Sequence, residues 1–486
     1  MNHNDNIDEL KTKRICFECV GEEYLSDEIK EKGSVAECSY CDQTAKSYSI
    51  EEVAECVETA FDHHYYLTPD QPNPWQSSML ADRESDYNWD RDGVPVLEAI
   101  ENAVEITQEV AEDILAVLDD AHEDFEAAKM GEETEFSSDS YYEVRGQSDQ
   151  AWQEEWSSFE RSLKTEARFF SRTAASHLAL VFGGINKLKT ADGKPLVLDA
   201  GPQLELDHLY RARVFQSEGK LKEALCRPDL HLCSPPINLA SAGRMNAQGI
   251  SVFYGSTEAD VAIVEVRPPV GSNVTVAKFS IIRQLRLLDL TALKDVRDGG
   301  SIFDPSLKER LERVAFLQSL GERITRPVMP DDEAFDYLPT QAIADFLATE
   351  NDPLIDGIIF RSSQSKSGRN VVLFQKAARV EAMEVPDGMQ IDADTGNWTE
   401  DGFEPNYVVF EQVPPQTQSP TAKTDRDNVE LFSLPDRLYD LDGDFRECTL
   451  RIDLGSVRIH QIDWVEYEYT SHQVNRHRFE LRDSKF

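Results

Sequence analysis

Apolar residues recur at helical steps through the first part of the chain and gather into short β-branched runs later. Ser49 is followed three residues on by Glu52, the spacing of a capping box. Ile50, Val53, Val57 and Phe61 then repeat every three or four residues, which predicts a helix. A second helix is predicted from Val96 to about Phe125. Pro95 stands at its entrance, and Ile100, Val104, Val110, Ile114 and Val117 share one face. A third is predicted from about Trp152 to Phe182. Its stripe is Trp152, Trp156, Phe159, Leu163, Phe170, Ala174, Leu178 and Val181, and Gly183 with Gly184 ends it. Residues 130–148 have no period and read as a loop. Residues 49–190 are therefore expected to form an antiparallel helical domain.

After Lys187 the texture changes. Strands are predicted at Leu209–Val214, Gly249–Tyr254, Val274–Phe279, Gly357–Arg361 and Asn370–Phe374, with helices at Leu307–Leu317 and Thr340–Ala348. That mixture predicts an α+β domain over residues 200–384. Asn406–Gln412, Thr449–Leu454 and Trp464–Thr470 are strand-like, so 385–486 is read as a β-rich C-terminal extension. Residues 414–427 are rich in Pro, Gln and Thr and read as a linker. The whole is expected to be a multidomain α+β protein.

A chain of 486 residues is too long for one core, which agrees with several domains. The formal net charge of −42 repels phosphate backbones, and no basic cluster offsets it, so nucleic acid is not an expected partner. No run of eighteen apolar residues exists, so no membrane partner is expected either. The N-terminal MNHNDNIDEL is polar and reads neither as a secretory nor as a targeting signal. A cytoplasmic location is the expectation.

Cysteine usage fits a reducing compartment. Cys16 and Cys19 form one CxxC pair and Cys38 and Cys41 another. Two such turns supply four thiolates for a tetrahedral ion, so residues 1–48 are read as a zinc-ribbon-like segment with a structural zinc. Cys56, Cys226, Cys233 and Cys448 have no ligand spacing. His63 and His64 lie nearby in sequence but are not needed to complete four ligands.

Several polar residues stand where apolar ones would cost less. Alternation over His208–Val214 puts Leu209, Arg211 and Arg213 on one face. A strand arginine can grip a phosphate, and a solvated edge strand is the plainer alternative. Gly243-Arg244-Met245-Asn246-Ala247-Gln248-Gly249 offers backbone approach and donors, and Tyr254 follows as a ring that can stack. In Ser256–Arg267 a strand from Val261 to Val266 competes with a helix capped by Thr257, and the helix is preferred. Either way Glu265 lies among apolar neighbours, a costly place for a carboxylate unless it is paired or chemically employed. Gly357-Ile358-Ile359-Phe360-Arg361-Ser362 then places Ser362 where a buried strand emerges.

In that order these pieces resemble the RES family, bacterial toxin domains named for Arg, Glu and Ser. The resemblance covers roughly residues 205–380, and Tyr337 and Gln341 also fit. Residues from Cys16 to about Gly184 look like the HEPN-type helical extension of some large RES proteins. The resemblance implies an ADP-ribosyltransferase-like fold and cleavage of the nicotinamide–ribose bond of NAD, as a glycohydrolase or phosphorylase. It implies Arg211, Glu265 and Ser362 as the catalytic residues. It also implies Arg244, Tyr254, Asn246 and Arg361 as NAD-binding residues, with Arg213 less specific. Family members often pair with an antitoxin, so an antitoxin or regulatory protein is an expected partner, and the helical part is expected to regulate or to form homo-oligomers. NAD depletion in toxin–antitoxin or anti-phage defence follows as the role.

Two other readings compete. Arg172-Thr-Ala-Ala-Ser-His177 matches the Arg-x4-His pattern of HEPN ribonucleases, although a solvated helix face is the preferred explanation. A non-catalytic nucleotide-binding sensor is the other.

Overall fold

The computed structural model describes residues 3–82, 84–124, 129–130, 133–166, 171–400, 402–414 and 444–478. The chain forms two compact units, Met1–Leu196 with Ala292–Arg323, and Val197–Thr291 with Ile324–Phe486.

In the first unit β1 (Arg14–Cys16), β2 (Ser34–Glu37) and β3 (Thr44–Ser49) form an antiparallel sheet in the order β1-β3-β2. β3 runs directly into the Ile50–His64 helix. The hydroxyl of Ser49 accepts from the Glu52 N–H, and the Glu52 carboxylate accepts from the Ser49 N–H. This is the reciprocal cap the spacing predicts. The helix buries Ile50, Val53, Val57 and Phe61 against Ile100, Val110, Ile114 and Val117.

Three sequence expectations change here. The helix predicted over Val96–Phe125 is two helices, Val96–Val104 and Gln108–Ala121; residue 125 lies outside the described residues. Glu105 between them is left-handed at φ 55°, and its carbonyl accepts from the Gly21 N–H at 3.1 Å. A Cβ on Gly21 would lie 2.8 Å from Glu105, so a distant glycine permits the break. The helix predicted over Trp152–Phe182 is likewise two, Gln150–Thr165 and Arg172–Phe182. Ser171 caps the second by accepting from the Ala174 N–H, while Phe170 lies outside the described residues. Within 130–148, Tyr141–Val144 forms β6 between β4 (Tyr65–Leu67) and β5 (Val94–Pro95). Four residues are too few to display a period, yet Tyr142 from this strand packs on Phe61 and Phe136.

The later segment of this unit contributes β13 (Val296–Arg297), which pairs with β7 (Lys189–Thr190), and most of the Leu307–Thr325 helix. Phe316 on that helix packs against Trp152 and Trp156 at 5.8 and 5.6 Å between ring centres. Arg313 donates to the carbonyls of Val181 and Gly183. It thereby satisfies acceptors that the end of the Arg172–Phe182 helix leaves open.

The second unit is built on one sheet. Its strands are β8 (Val197–Ala200), β9 (His208–Phe215), β10 (Phe253–Ser256), β11 (Asn273–Ile281), β12 (Leu285–Asp289), β14 (Gly357–Arg361), β15 (Arg369–Leu373) and β18 (Leu450–Gln461). Their order is β18-β11-β9-β10-β15-β14-β12-β8. Every pairing is antiparallel except β12 with β14. Leu209, Phe253, Phe279, Leu287, Ile359, Val371 and Leu373 form its core. β18 pairs with β11 and adds Leu450 and Ile452 to that core, so the expected boundary at 384/385 separates strands of one sheet. β16 (Gln390–Thr399) and β17 (Gly402–Gln412) form a separate antiparallel hairpin.

Two strand expectations fail, one in part and one entirely. The predicted Gly249–Tyr254 strand begins only at Phe253, because Gly249 is left-handed at φ 84° and the Ile250 carbonyl accepts from the Asn246 side chain. Trp464–Thr470 is not a strand; its residues are exposed. The linker read at 414–427 lies, beyond residue 414, outside the described residues. Among the described residues no helix is long and apolar enough to cross a membrane.

Candidate active site

A cleft of about 400 Å³ opens on one face of the second unit's sheet. That volume lies in the range of small-molecule sites. Its floor is a cross-strand row. Tyr210 on β9 pairs with Ser256 on β10, Ser256 with Asn370 on β15, and Asn370 with Phe360 on β14. All four line the cleft. The hydroxyl of Ser256 donates to Asn370 Oδ1 at 2.7 Å, so this buried polar pair is satisfied within the floor.

Glu265 enters from above. Ala259–Glu265 is a helix, as preferred from the sequence, but Glu258 rather than Thr257 occupies the cap position, and no side chain caps it. Ser362 directly follows β14, is 5 % exposed, and donates to Glu265 Oε1 at 2.5 Å. Its hydroxyl also accepts from the N–H groups of Gln364 and Ser365, each at 3.0 Å. Ser362 therefore fixes both the turn after β14 and the carboxylate, while Glu265 and Arg361 face the cleft.

Tyr254 and the Gly243–Gly249 loop act as a unit. Tyr254 Oη accepts from the Met245 N–H and donates to Asn246 Oδ1, both at 3.1 Å. Burial pushes the Tyr254 phenol up to about 12, so it stays protonated at neutral pH. Asn246 is 4 % exposed and its amide donates to the Ser241, Ala247 and Ile250 carbonyls. It shapes the loop and does not line the cleft. A Cβ on Gly243 would lie 2.7 Å from Asn246 Oδ1 and 3.0 Å from Tyr254 Oη. Gly243→Ala is therefore expected to displace Tyr254 and weaken ligand binding while leaving the sheet folded. Titration calorimetry with ADP-ribose checks this, and unchanged affinity counts against a role for the loop.

Arg244 donates to the Ile324 and Arg326 carbonyls at 2.8 and 2.9 Å, and its guanidinium lies 5.0 Å from the centre of the Tyr337 ring. The Leu338–Thr349 helix holds the same loop, since Gln341 donates to the Gly243 carbonyl and Thr340 to that of Arg244. Arg211 points to the opposite face of its strand, over the Phe253 ring at 4.9 Å. It reaches the cleft where β9 and β10 diverge and donates to the Tyr254 carbonyl at 3.1 Å. Burial lowers it to about 10, which leaves it charged at pH 7. Arg213 is outside the cleft, donating to the His231 carbonyl.

Four arginines thus line the cleft, Arg211, Arg244, Arg267 and Arg361, against Glu265 and Glu333. Among the described residues none of the four is in an ion pair. In a chain of net charge −42 this local excess of cation is suited to an anionic ligand. Sequence reasoning did not single out Arg267, Asn370, Ser256 or Phe360. The floor row depends on strand register, which single strands do not carry. Arg267 had a signal, standing two residues after Glu265 and directly before Pro268.

The four CxxC cysteines converge in the first unit, and their sulfurs lie within 4.8 Å of one another. Cys16 Sγ is 3.6 Å from both Cys19 Sγ and Cys41 Sγ, and Cys19 Sγ is 3.9 Å from Cys38 Sγ. Four sulfurs at about 2.3 Å from a zinc ion lie about 3.8 Å apart, so the cluster has the size of a tetrahedral site. The Cys16 N–H also donates to Cys38 Sγ at 3.4 Å.

The Arg172 and His177 pair does not form a comparable site. Arg172 is exposed, and His177 is 8 % exposed, packed against the Trp156 and Phe159 rings. Burial lowers the His177 pKa.

Comparison with known families agrees with this layout. Residues 212–395 match the RES domain, and residues 31–177 match HEPN/RES N-terminal domain 1. The chain therefore carries a RES domain and, ahead of it, a HEPN/RES N-terminal domain 1. No curated protein and no solved structure matches it. The RES match spans Glu265, Ser362 and the cleft loop, and begins one residue after Arg211.

Proposed function

We propose that the RES domain of this chain cleaves the nicotinamide–ribose bond of NAD. The observation that carries the reading is the Ser362–Glu265 hydrogen bond at the edge of an arginine-lined cleft. The RES match supports an NAD-related, toxin-like activity.

The chemistry follows from the groups present. As the C1′–N bond breaks, its electron pair goes to the pyridinium ring and nicotinamide leaves neutral. Positive charge then builds on the ribose, as in glycoside cleavage. Glu265, oriented by Ser362, stabilises that charge from a protein cleft where water screens it less. The Tyr254 ring offers a stacking surface for nicotinamide. Arg211, Arg244 and Arg361 supply donors for the diphosphate. Water or inorganic phosphate captures the ribose carbon and releases a proton. NAD consumption with nicotinamide release by the purified full chain tests the reading.

Arg211→Ala is expected to raise KM for NAD with a smaller change in kcat. A lost charged hydrogen bond is worth about 1.5–3 kcal/mol, so the rise should be about 10–100-fold. Steady-state kinetics check it, and an unchanged KM would remove Arg211 from substrate binding. The cysteine cluster is read as a structural zinc site that organises β1, β2 and β3. An antitoxin or other regulatory protein is the proposed partner, consistent with the RES family.

A further inference from the structure

We propose that Arg267 is a diphosphate-binding residue of the cleft. With Arg244 it would hold both phosphates of a dinucleotide at the rim, which makes the site selective for nucleoside diphosphates over mononucleotides. The inference rests on the NAD reading and extends it to how the substrate is selected.

The case begins with the backbone. Arg267 is left-handed at φ 46°, a conformation uncommon outside glycine. Its N–H donates to the Val264 carbonyl at 3.1 Å and closes the turn after the Ala259–Glu265 helix. Pro268 follows directly, and a proline disfavours right-handed helical backbone in the residue before it. The chain therefore stops its helix here with a long cationic side chain in place of a glycine. Residues held in such conformations cluster at ligand sites.

The side chain's surroundings point to the same use. Arg267 lines the same cleft as Glu265, within one pocket that a single ligand can fill. Arg244, Arg267 and Tyr337 all line the cleft, and the Arg244 guanidinium lies 5.0 Å from the centre of the Tyr337 ring. Glu333, the acidic residue of that rim, already accepts from Tyr337 Oη at 3.0 Å. Arg267 itself is in no ion pair and no side-chain hydrogen bond among the described residues. Two cationic side chains lining one cleft favour an anion with at least two charged groups, and planar guanidinium donors match phosphate oxygens.

The test compares the full-length wild-type chain with Arg267→Gly, since glycine suits the left-handed backbone and removes only the side chain. Calorimetry measures binding of ADP-ribose, which has two phosphates, and nicotinamide mononucleotide, which has one. Thermal unfolding is followed in parallel. The variant should keep the wild-type Tm. It should lose about 10–100-fold in affinity for ADP-ribose, as expected for a lost charged contact, and be changed less than about threefold for the mononucleotide. Arg267→Lys should recover part of the loss. Equal affinity of wild type and variant for ADP-ribose overturns the proposal and leaves the NAD reading standing. Equal losses for both ligands overturn the selectivity. A wild-type chain that binds neither ligand overturns both readings.

Discussion

Glu265→Gln is expected to lower NAD turnover by about 10²–10³-fold, the scale seen when one preorganised electrostatic group is removed from a transition state. The reason is the placement of the carboxylate. Its Oε1 accepts from Ser362, which is itself held by the Gln364 and Ser365 N–H groups, so the charge is oriented before substrate arrives. Glutamine keeps an acceptor for Ser362 and removes the charge. The fold should therefore survive, with a Tm close to wild type. KM should change little, because the lost interaction is made chiefly with charge that develops during bond breaking. Glu265→Ala should be at least as slow, and it also leaves the Ser362 hydroxyl without its acceptor. Turnover in Glu265→Gln equal to wild type would exclude the carboxylate from the chemistry.

Removal of the zinc proposed for the four-cysteine cluster is the second large effect. A chelator, or Cys38→Ser, is expected to unfold β1, β2 and β3 and to lower the unfolding temperature of the first unit. Structural zinc contributes about 10–16 kcal/mol to the folding of zinc-finger peptides, and a short segment of this kind has little core of its own. The segment also shares the core of its unit through Ile15, Val20, Leu25 and Ile29, so loss of the metal is expected to lower the stability of that unit and not of the segment alone. Tyr40 Oη and Lys13 both reach Asp113, and Ile15 joins the neighbouring core. Cys56→Ser, which alters a cysteine outside the cluster, is the control and should retain the metal. Zinc analysis of the purified chain together with calorimetric unfolding checks this. A chain that unfolds identically with and without chelator would leave the cluster without a structural metal.

Legibility followed the range of the interaction that decides each feature. The Ser49 cap and the Ile50–His64 helix were readable because a capping box and a 3.6-residue stripe are both local. The four cysteines were readable because thiolate spacing on tight turns is local too. The break at Glu105 was not, since it is accommodated by the close approach of Gly21, distant in sequence. The polar floor was not, since Ser256 and Asn370 meet only through strand register. Asn246 was read as a ligand donor from its loop. Its amide instead satisfies the carbonyls that let the loop turn, a demand that only the folded loop reveals. Arg211 was placed correctly in a strand. Its reach between β9 and β10 to the Tyr254 carbonyl came from the divergence of those strands. Glu265 and Ser362 are far apart in sequence, and only the order of motifs suggested that they meet.

The most direct measurement of the central claim is nicotinamide release from NAD by the purified, full-length chain, with Glu265→Gln alongside. The account predicts catalytic release, many nicotinamide molecules per protein, with the variant slower by about 10²–10³-fold. Intact NAD after prolonged incubation with folded, zinc-loaded protein, with and without inorganic phosphate, would contradict it.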